Sequence, residues 1–125
     1  MSEDSKHTVA LDVMGSDSGP EVIIQGGLGA ARRLGDRLKL ILVGREDEIK
    51  KALDSIGDVP SGVSVRHAPD EIPMTMTATA GVRMRQSSVI VGLKLVRKRE
   101  AEAFVSPGNT GAVMAGSLLT LGRIP

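Results

Sequence analysis

Two short stretches of this sequence carry residue types and spacings suited to holding an oxyanion. Ser106-Pro107-Gly108-Asn109-Thr110-Gly111 sets an amide and hydroxyls among glycines. Where such a stretch follows a strand and opens a helix, unpaired backbone N–H groups and close approach make a site for phosphate or a polarised carbonyl. Two readings stay open here. Gly108 and Gly111 frame an anion cradle, or Asn109 or Thr110 caps the next helix, as such residues commonly do. The second stretch, Asp12-Val13-Met14-Gly15-Ser16-Asp17, holds two carboxylates. Carboxylates repel phosphate, so Asp12 and Asp17 would orient a lysine, a hydroxyl, a metal or loop amides. The plainer alternative has Asp17 capping the first helix and Asp12 satisfying loop N–H groups.

The elements that must position these residues follow from hydrophobic period and glycine punctuation. Thr8–Val13 reads as a buried strand, and Asp17 and Ser18 are N-cap candidates before Pro20 at a first helical position. Val22, Ile23, Gly26, Gly27, Ala30 and Leu34 recur at helical spacing as the expected buried face of that helix. Leu38–Val43 is a second strand closed by Gly44. Glu46, Asp47 and Glu48 then suit the first turn of a helix, supported by the i,i+4 pairs Glu46–Lys50 and Asp47–Lys51. Its stripe is Ile49, Ala52, Leu53 and Ile56. Val63–His67 is a third strand, and Pro69 to Gln86 reads as a loop followed by the start of a helix. Ser87–Arg99 is a helix with Val89, Ile90, Leu93 and Val96 inward. Ala103–Ser106 is the fourth strand, Pro107–Gly111 a turn, and Ala112–Leu121 an apolar helix. Strand and helix alternate about four times, which predicts one α/β domain over residues 1–125, a mostly parallel sheet with helices on both faces. Right-handed crossovers gather the loops after the strands at one edge, where ligands bind in such folds. Function is therefore expected in Met14–Pro20, after Val43, and in Pro107–Gly111.

Composition narrows the chemistry. The chain has 125 residues, 16 Lys+Arg against 15 Asp+Glu, no Cys, no Trp, no Tyr and one Phe. Near-neutral charge and a single aromatic argue against nucleic-acid binding, which calls for basic patches and stacking platforms. Without Cys there is no disulfide scaffold, Cys-based zinc site or Cys nucleophile. His7 and His67 are too few for a metal cluster, and a Ser-His-Asp hydrolase stays open only through one of them. Met1–Lys6 is polar, unlike a signal peptide, and no apolar stretch approaches the roughly 18 residues that span a bilayer. A soluble, cytoplasmic protein is expected. Gly26-Gly27-Leu28-Gly29 falls inside a helix and is no dinucleotide fingerprint, and no phosphate-binding Gly-Lys-Ser/Thr loop occurs. Arg97-Lys98-Arg99 reads as a solvated helix end, and Met74, Met76 and Met84 as loop and core fillers.

Taken together, these stretches resemble the amino-terminal part of the phosphate acyltransferases of bacterial phospholipid synthesis, the PlsX family. The likeness rests on Asp12-Val13-Met14-Gly15-Ser16-Asp17 with Pro20, Leu42-Val43-Gly44, Ser87-Ser88, Ser106-Pro107-Gly108-Asn109-Thr110-Gly111-Ala112 with Met114, and Gly122-Arg123-Ile124-Pro125. Ser16 and Pro107 stand where the family usually has Gly and Ala. Met76 and Ala78 replace its acidic residue and proline, and Arg83 and Arg85 are what remains of its basic run. The resemblance implies a three-layer α/β/α fold similar to isopropylmalate dehydrogenases and phosphate acetyltransferases. It also implies a homodimer and peripheral membrane association, the latter through a part this sequence lacks. The implied reaction moves a long acyl group from acyl carrier protein to inorganic phosphate, with no cofactor and no metal. The family chain continues past Pro125, so this sequence is expected to be a truncated form whose activity alone is in doubt.

That reaction needs a site that holds phosphate against an already activated thioester and stabilises the developing oxyanion. Ser106, Gly108, Asn109, Thr110 and Gly111 are the expected phosphate cradle. Asp12, Gly15 and Asp17 form the facing wall, Ser87 and Ser88 are candidates at a helix start, and Asn109, Thr110 and Asp12 carry the catalytic expectation. The cation would come from Arg83, Arg85 or the absent part. Two other readings stand beside this one: a different phosphate acetyltransferase-like enzyme, and a non-catalytic fragment that binds an anion or mediates dimerisation.

Overall fold

The computed structural model describes residues 5–125, so the first four residues of the polar stretch Met1–Lys6 lie outside it. The described chain runs β1 (His7–Asp12), α1 (Pro20–Leu34), β2 (Leu38–Gly44), α2 (Glu46–Ile56), β3 (Val63–His67), α3 (Ala78–Gly81), α4 (Ser88–Arg97), β4 (Ala103–Val105) and α5 (Thr110–Thr120), with a 3-10 turn at Gly35–Arg37. The strands form one four-stranded sheet in the order β3-β2-β1-β4. All three pairings are parallel, with Asp12 level with Val43 and Leu11 level with Val105.

Alternation along the strands divides the core into two faces. Leu11, Leu40 and Leu42 point to one side and pack with Ile24 and Leu28 of α1 and with Ile49 and Ala52 of α2. Ala10, Val43 and Phe104 point to the other, against Leu95 of α4. Beyond that, Val89, Ile90 and Leu93 of α4 meet Ile72 and Ala112, so that α5 lies against α4 rather than on the sheet. Each fully buried Leu or Ile contributes about 1.5–3 kcal/mol. This is the expected three-layer arrangement. Phe104 fits because Gly92 stands opposite it on α4, where any Cβ would overlap the ring.

Several boundaries and faces differ from expectation. Helix α1 buries Ile24, Gly27, Leu28 and Ala31 and leaves Val22 and Leu34 exposed, a stripe rotated from the one the spacing suggested. Two overlapping apolar series run along this helix, and the sheet selects the one that faces Leu11, Leu40 and Leu42. Its N-cap is Gly19, with no side-chain cap, because a turn closed by Gly19 N on Ser16 O places Asp17 and Ser18 before the cap position. Asp17 is therefore not the cap. Helix α5 starts at Thr110 rather than Ala112, α4 ends at Arg97 rather than Arg99, and a single short helix, α3, interrupts the stretch from Pro69 to Gln86. The Glu46–Lys50 pair forms at 3.0 Å. Among the described residues, no helix is long and apolar enough to cross a membrane.

Candidate functional site

Parallel pairing of β1 with β4 brings the ends of two strands, and the loops that follow them, side by side at the carboxyl edge of the sheet. Asp12 closes β1 on the α4 side of the sheet and is 1% exposed. Its Oδ2 accepts a hydrogen bond from Ser106 Oγ at 2.7 Å, and its Oδ1 accepts from Met14 N at 2.9 Å. Ser106 Oγ in turn accepts from Gly108 N at 3.0 Å. One carboxylate thus ties both loops together. Burial raises the Asp12 pKa; hydrogen bonds from Ser106, Ser88 and Met14 N oppose the rise, and the negative charge of Glu71 adds to it.

The two loops touch backbone to backbone. Gly15 has φ +84°, and a Cβ there would stand 3.0 Å from the Gly108 Cα. Only glycine combines that left-handed conformation with that approach at low cost. Ser88, at the first position of α4, is buried beside Asp12, whereas Ser87 is the N-cap of α4 and accepts from Ile90 N at 3.2 Å.

Asn109 is 7% exposed and fully engaged within the protein. Its Oδ1 accepts from Ala112 N at 3.1 Å, which caps α5. Its Nδ2 donates to Pro73 O at 3.0 Å and Met76 O at 2.8 Å, and approaches Met74 O at 3.4 Å. The side chain holds the Pro73–Met76 loop against the start of α5. Thr110 and Gly111, the next two residues, are exposed. Their N–H groups belong to the first turn of α5, where a helix has no internal partners for its donors. Of the expected residues, then, Asp12, Gly15, Ser88, Ser106, Gly108 and Asn109 converge. Thr110 and Gly111 face outward beside them, Ser87 works inside α4, and Asp17 lies exposed in the first loop.

Glu71 and Arg45 complete the edge, and the sequence reading did not single them out. Glu71 Oε1 accepts from Gly15 N at 3.0 Å and its Oε2 from Arg45 Nη2 at 3.2 Å. Arg45 also donates to Pro69 O at 3.3 Å and pairs with Glu48. The signal was topological. The loop after β3 reaches the same edge as the loops after β1, β2 and β4, and of its two carboxylates, Asp70 and Glu71, it is Glu71 that bonds Gly15 N and Arg45. Arg83 and Arg85 are exposed, and Arg85 lines a surface groove with Lys94 and Arg97 between α4 and α5.

Comparison with known proteins places this geometry among relatives. A family model described as "Fatty acid synthesis protein" matches residues 7–125. A phosphate acyltransferase of Chlorobaculum parvum is 40% identical over 119 residues, which covers 94% of this chain and 35% of that protein. Phosphate acyltransferases of Myxococcus xanthus and Herpetosiphon aurantiacus are 45% and 44% identical, over 94% and 93% of this chain and 33% and 31% of theirs. The chain therefore spans about a third of the length of the curated relatives it matches. Among solved structures, a phosphotransacetylase from Streptococcus pyogenes superposes with a TM-score of 0.65 at 16% identity, over 94% of this chain and 39% of that one. At that identity the likeness is one of fold.

Proposed function

The chain belongs to the fatty acid synthesis protein family, and from that premise we propose that it carries the phosphate side of an acyl transfer from acyl carrier protein to inorganic phosphate. In this reaction a phosphate oxygen attacks the thioester carbonyl carbon. The C–S bond then breaks, acyl phosphate leaves, and the thiolate takes up a proton. Phosphate is already a nucleophile and the thioester already activated, so the site has to position the two and stabilise the oxyanion.

The observation that carries the reading is the junction of two loops at one sheet edge, tied by Asp12 and Ser106 and packed through Gly15 on Gly108. It sets the first turn of α5, with Thr110 and Gly111, beside the strand ends where ligands bind in such folds. In this arrangement Thr110 and Gly111 give phosphate its donors. Ser106, Gly108 and Gly15 fix the backbone around it, and Asp12 orients Ser106. Asn109 positions the helix start, Ser88 supports Asp12 from α4, Ser87 caps α4, and Asp17 stands at the rim. The partners are acyl carrier protein, phosphate and a second copy of the chain, in the cytoplasm, with membrane contact peripheral.

The test is a chimera in which this chain replaces the matched segment of the Chlorobaculum parvum phosphate acyltransferase. It is supplied with phosphate and either long-chain acyl carrier protein or acetyl coenzyme A, and acyl phosphate is trapped with hydroxylamine. Product from the carrier protein alone is expected. Product from acetyl coenzyme A alone would assign phosphate acetyltransferase chemistry instead. A folded chimera inactive with both donors would make this chain a non-catalytic variant.

A further inference from the structure

Glu71 is held as a ligand is held. Its two carboxylate oxygens are taken one each by a backbone N–H, Gly15 at 3.0 Å, and a guanidinium, Arg45 at 3.2 Å. Both donors are of the kind that recognise oxyanions. The Glu71 and Arg45 side chains are 36% and 34% exposed, so solvent reaches them. Local charge makes the arrangement consequential. The charge of Glu71 is felt at Asp12, and among the described residues Arg45 is the cation paired with Glu71 and with Glu48. An incoming phosphate dianion meets a carboxylate already seated on the donors it would use.

We propose that Gly15 N–H and the Arg45 guanidinium form an oxyanion subsite that the Glu71 carboxylate occupies at rest, and that a phosphate oxygen pair enters by displacing it. The inference rests on the phosphate-site reading above. It adds a cation, Arg45, and a built-in competitor, Glu71. The exchange is balanced in contacts, because phosphate oxygens take the same two donors that the carboxylate releases. Arg45 stays in place through Glu48 and Pro69 O.

The experiment titrates the 125-residue chain with inorganic phosphate and follows the Gly15, Thr110 and Gly111 amide resonances. Glu71→Gln keeps a carbonyl oxygen for Gly15 N–H but removes the competing charge. It is expected to tighten phosphate at least about fivefold, the scale of one partly screened charge near the ligand, with the Gly15 resonance moving at saturation. Arg45→Gln is expected to weaken phosphate about threefold or more and to abolish the gain in the double variant. Unchanged or weaker affinity in a folded Glu71→Gln protein, or a phosphate response that omits Gly15, overturns the proposal. Should Glu71→Gln not fold, the unmodified chain decides: Gly15 must respond to phosphate, and less so after Arg45→Gln. A chimera that turns over while Glu71→Gln leaves phosphate binding unchanged would refute the subsite alone. Gly15 binding without any acyl phosphate would refute the reaction alone.

Discussion

Asn109 joins two segments through one side chain. Its oxygen caps α5 and its nitrogen fastens three carbonyls of the Pro73–Met76 loop, so under the proposed function it acts on phosphate through the position of Thr110 N and Gly111 N. Asn109→Ala should therefore lower stability by about 2 kcal/mol, a lost cap plus lost amide bonds. In the chimera it should lower turnover by about 10²-fold, the loss typical of a misplaced anion donor. Asn109→Ser, whose hydroxyl can cap α5 but is too short to hold the Pro73–Met76 carbonyls, should recover stability more than turnover; parallel recovery of both would make Asn109 a cap and nothing more. Asp12 offers a separate test through pH. Its pKa is raised in the folded state, chiefly by burial, so the fold prefers the protonated acid. That stabilisation is fully present below the ordinary aspartate range and is lost as pH rises through the raised folded value. Urea midpoints of the unmodified chain and Asp12→Asn should diverge across that window, with the unmodified chain losing more stability as pH rises; parallel curves would contradict the raised pKa. That Gly-Asn-Thr-Gly lies between a strand and a helix was legible, but the choice between an anion cradle and a helix cap was not, and the helix takes in Thr110 and Gly111. The partners of Asn109 were not legible either, since backbone carbonyls in the stretch from Pro73 to Met76 carry no side-chain signature, and Glu71 became visible only once β3 was seen to deliver its loop to the same edge.

At the scale of elements, all four strands were legible to within about a residue at each end, because short apolar runs bounded by turn residues and alternating with helical patterns leave little choice of state. Helix faces were less so. Helix α1 carries two apolar series that share Gly27, Val22-Ile23-Gly26-Gly27-Ala30-Leu34 and Ile24-Gly27-Leu28-Ala31, and only contact with β1 and β2 decides between them. Helix starts were blurred for a related reason: α5 takes in Thr110 and Gly111 because Asn109 caps it, while α1 is capped by a glycine with no side-chain signal. The packing of α4 makes a prediction that belongs to this scale. Gly92 leaves room for the Phe104 ring between helix and sheet, so Gly92→Ala gains helix propensity of about 1 kcal/mol but forces the ring or the helix aside, at about 1–3 kcal/mol. The second effect should win, giving a lower urea midpoint with an unchanged slope. Phe104→Leu in the same background should restore part of the loss, and a Gly92→Ala protein more stable than its parent would place the ring elsewhere.

At the scale of the whole molecule, the described residues leave a run of large apolar side chains exposed at the end of the chain. Helix α5 turns Ala112 and Gly116 inward and leaves Met114, Leu118, Leu119 and Leu121 at 65%, 48%, 75% and 44% exposure. At the edge of the sheet, β4 pairs with β1 alone among the described residues, and Val105 on it is half exposed. A contiguous apolar ridge on a helix marks an interaction surface, and an unpaired strand edge offers a second template for association. Burying the exposed parts of these side chains in each of two copies favours association by about 25 cal/mol per Å² of apolar surface removed from water, against the cost of ordering two copies. The 125-residue chain should therefore scatter light as a dimer or larger species. Leu119→Glu with Leu118→Glu should return it to a monomer without lowering its urea midpoint by more than about 0.5 kcal/mol, since both positions are open to solvent in one copy. If the double variant stays dimeric while a charge or proline in β4 dissociates it, the strand edge is the contact and the helix is not. A monomeric mass for the unmodified chain at about 0.1 mM, a hundredfold above a micromolar dissociation constant, would mean that neither surface recognises a second copy.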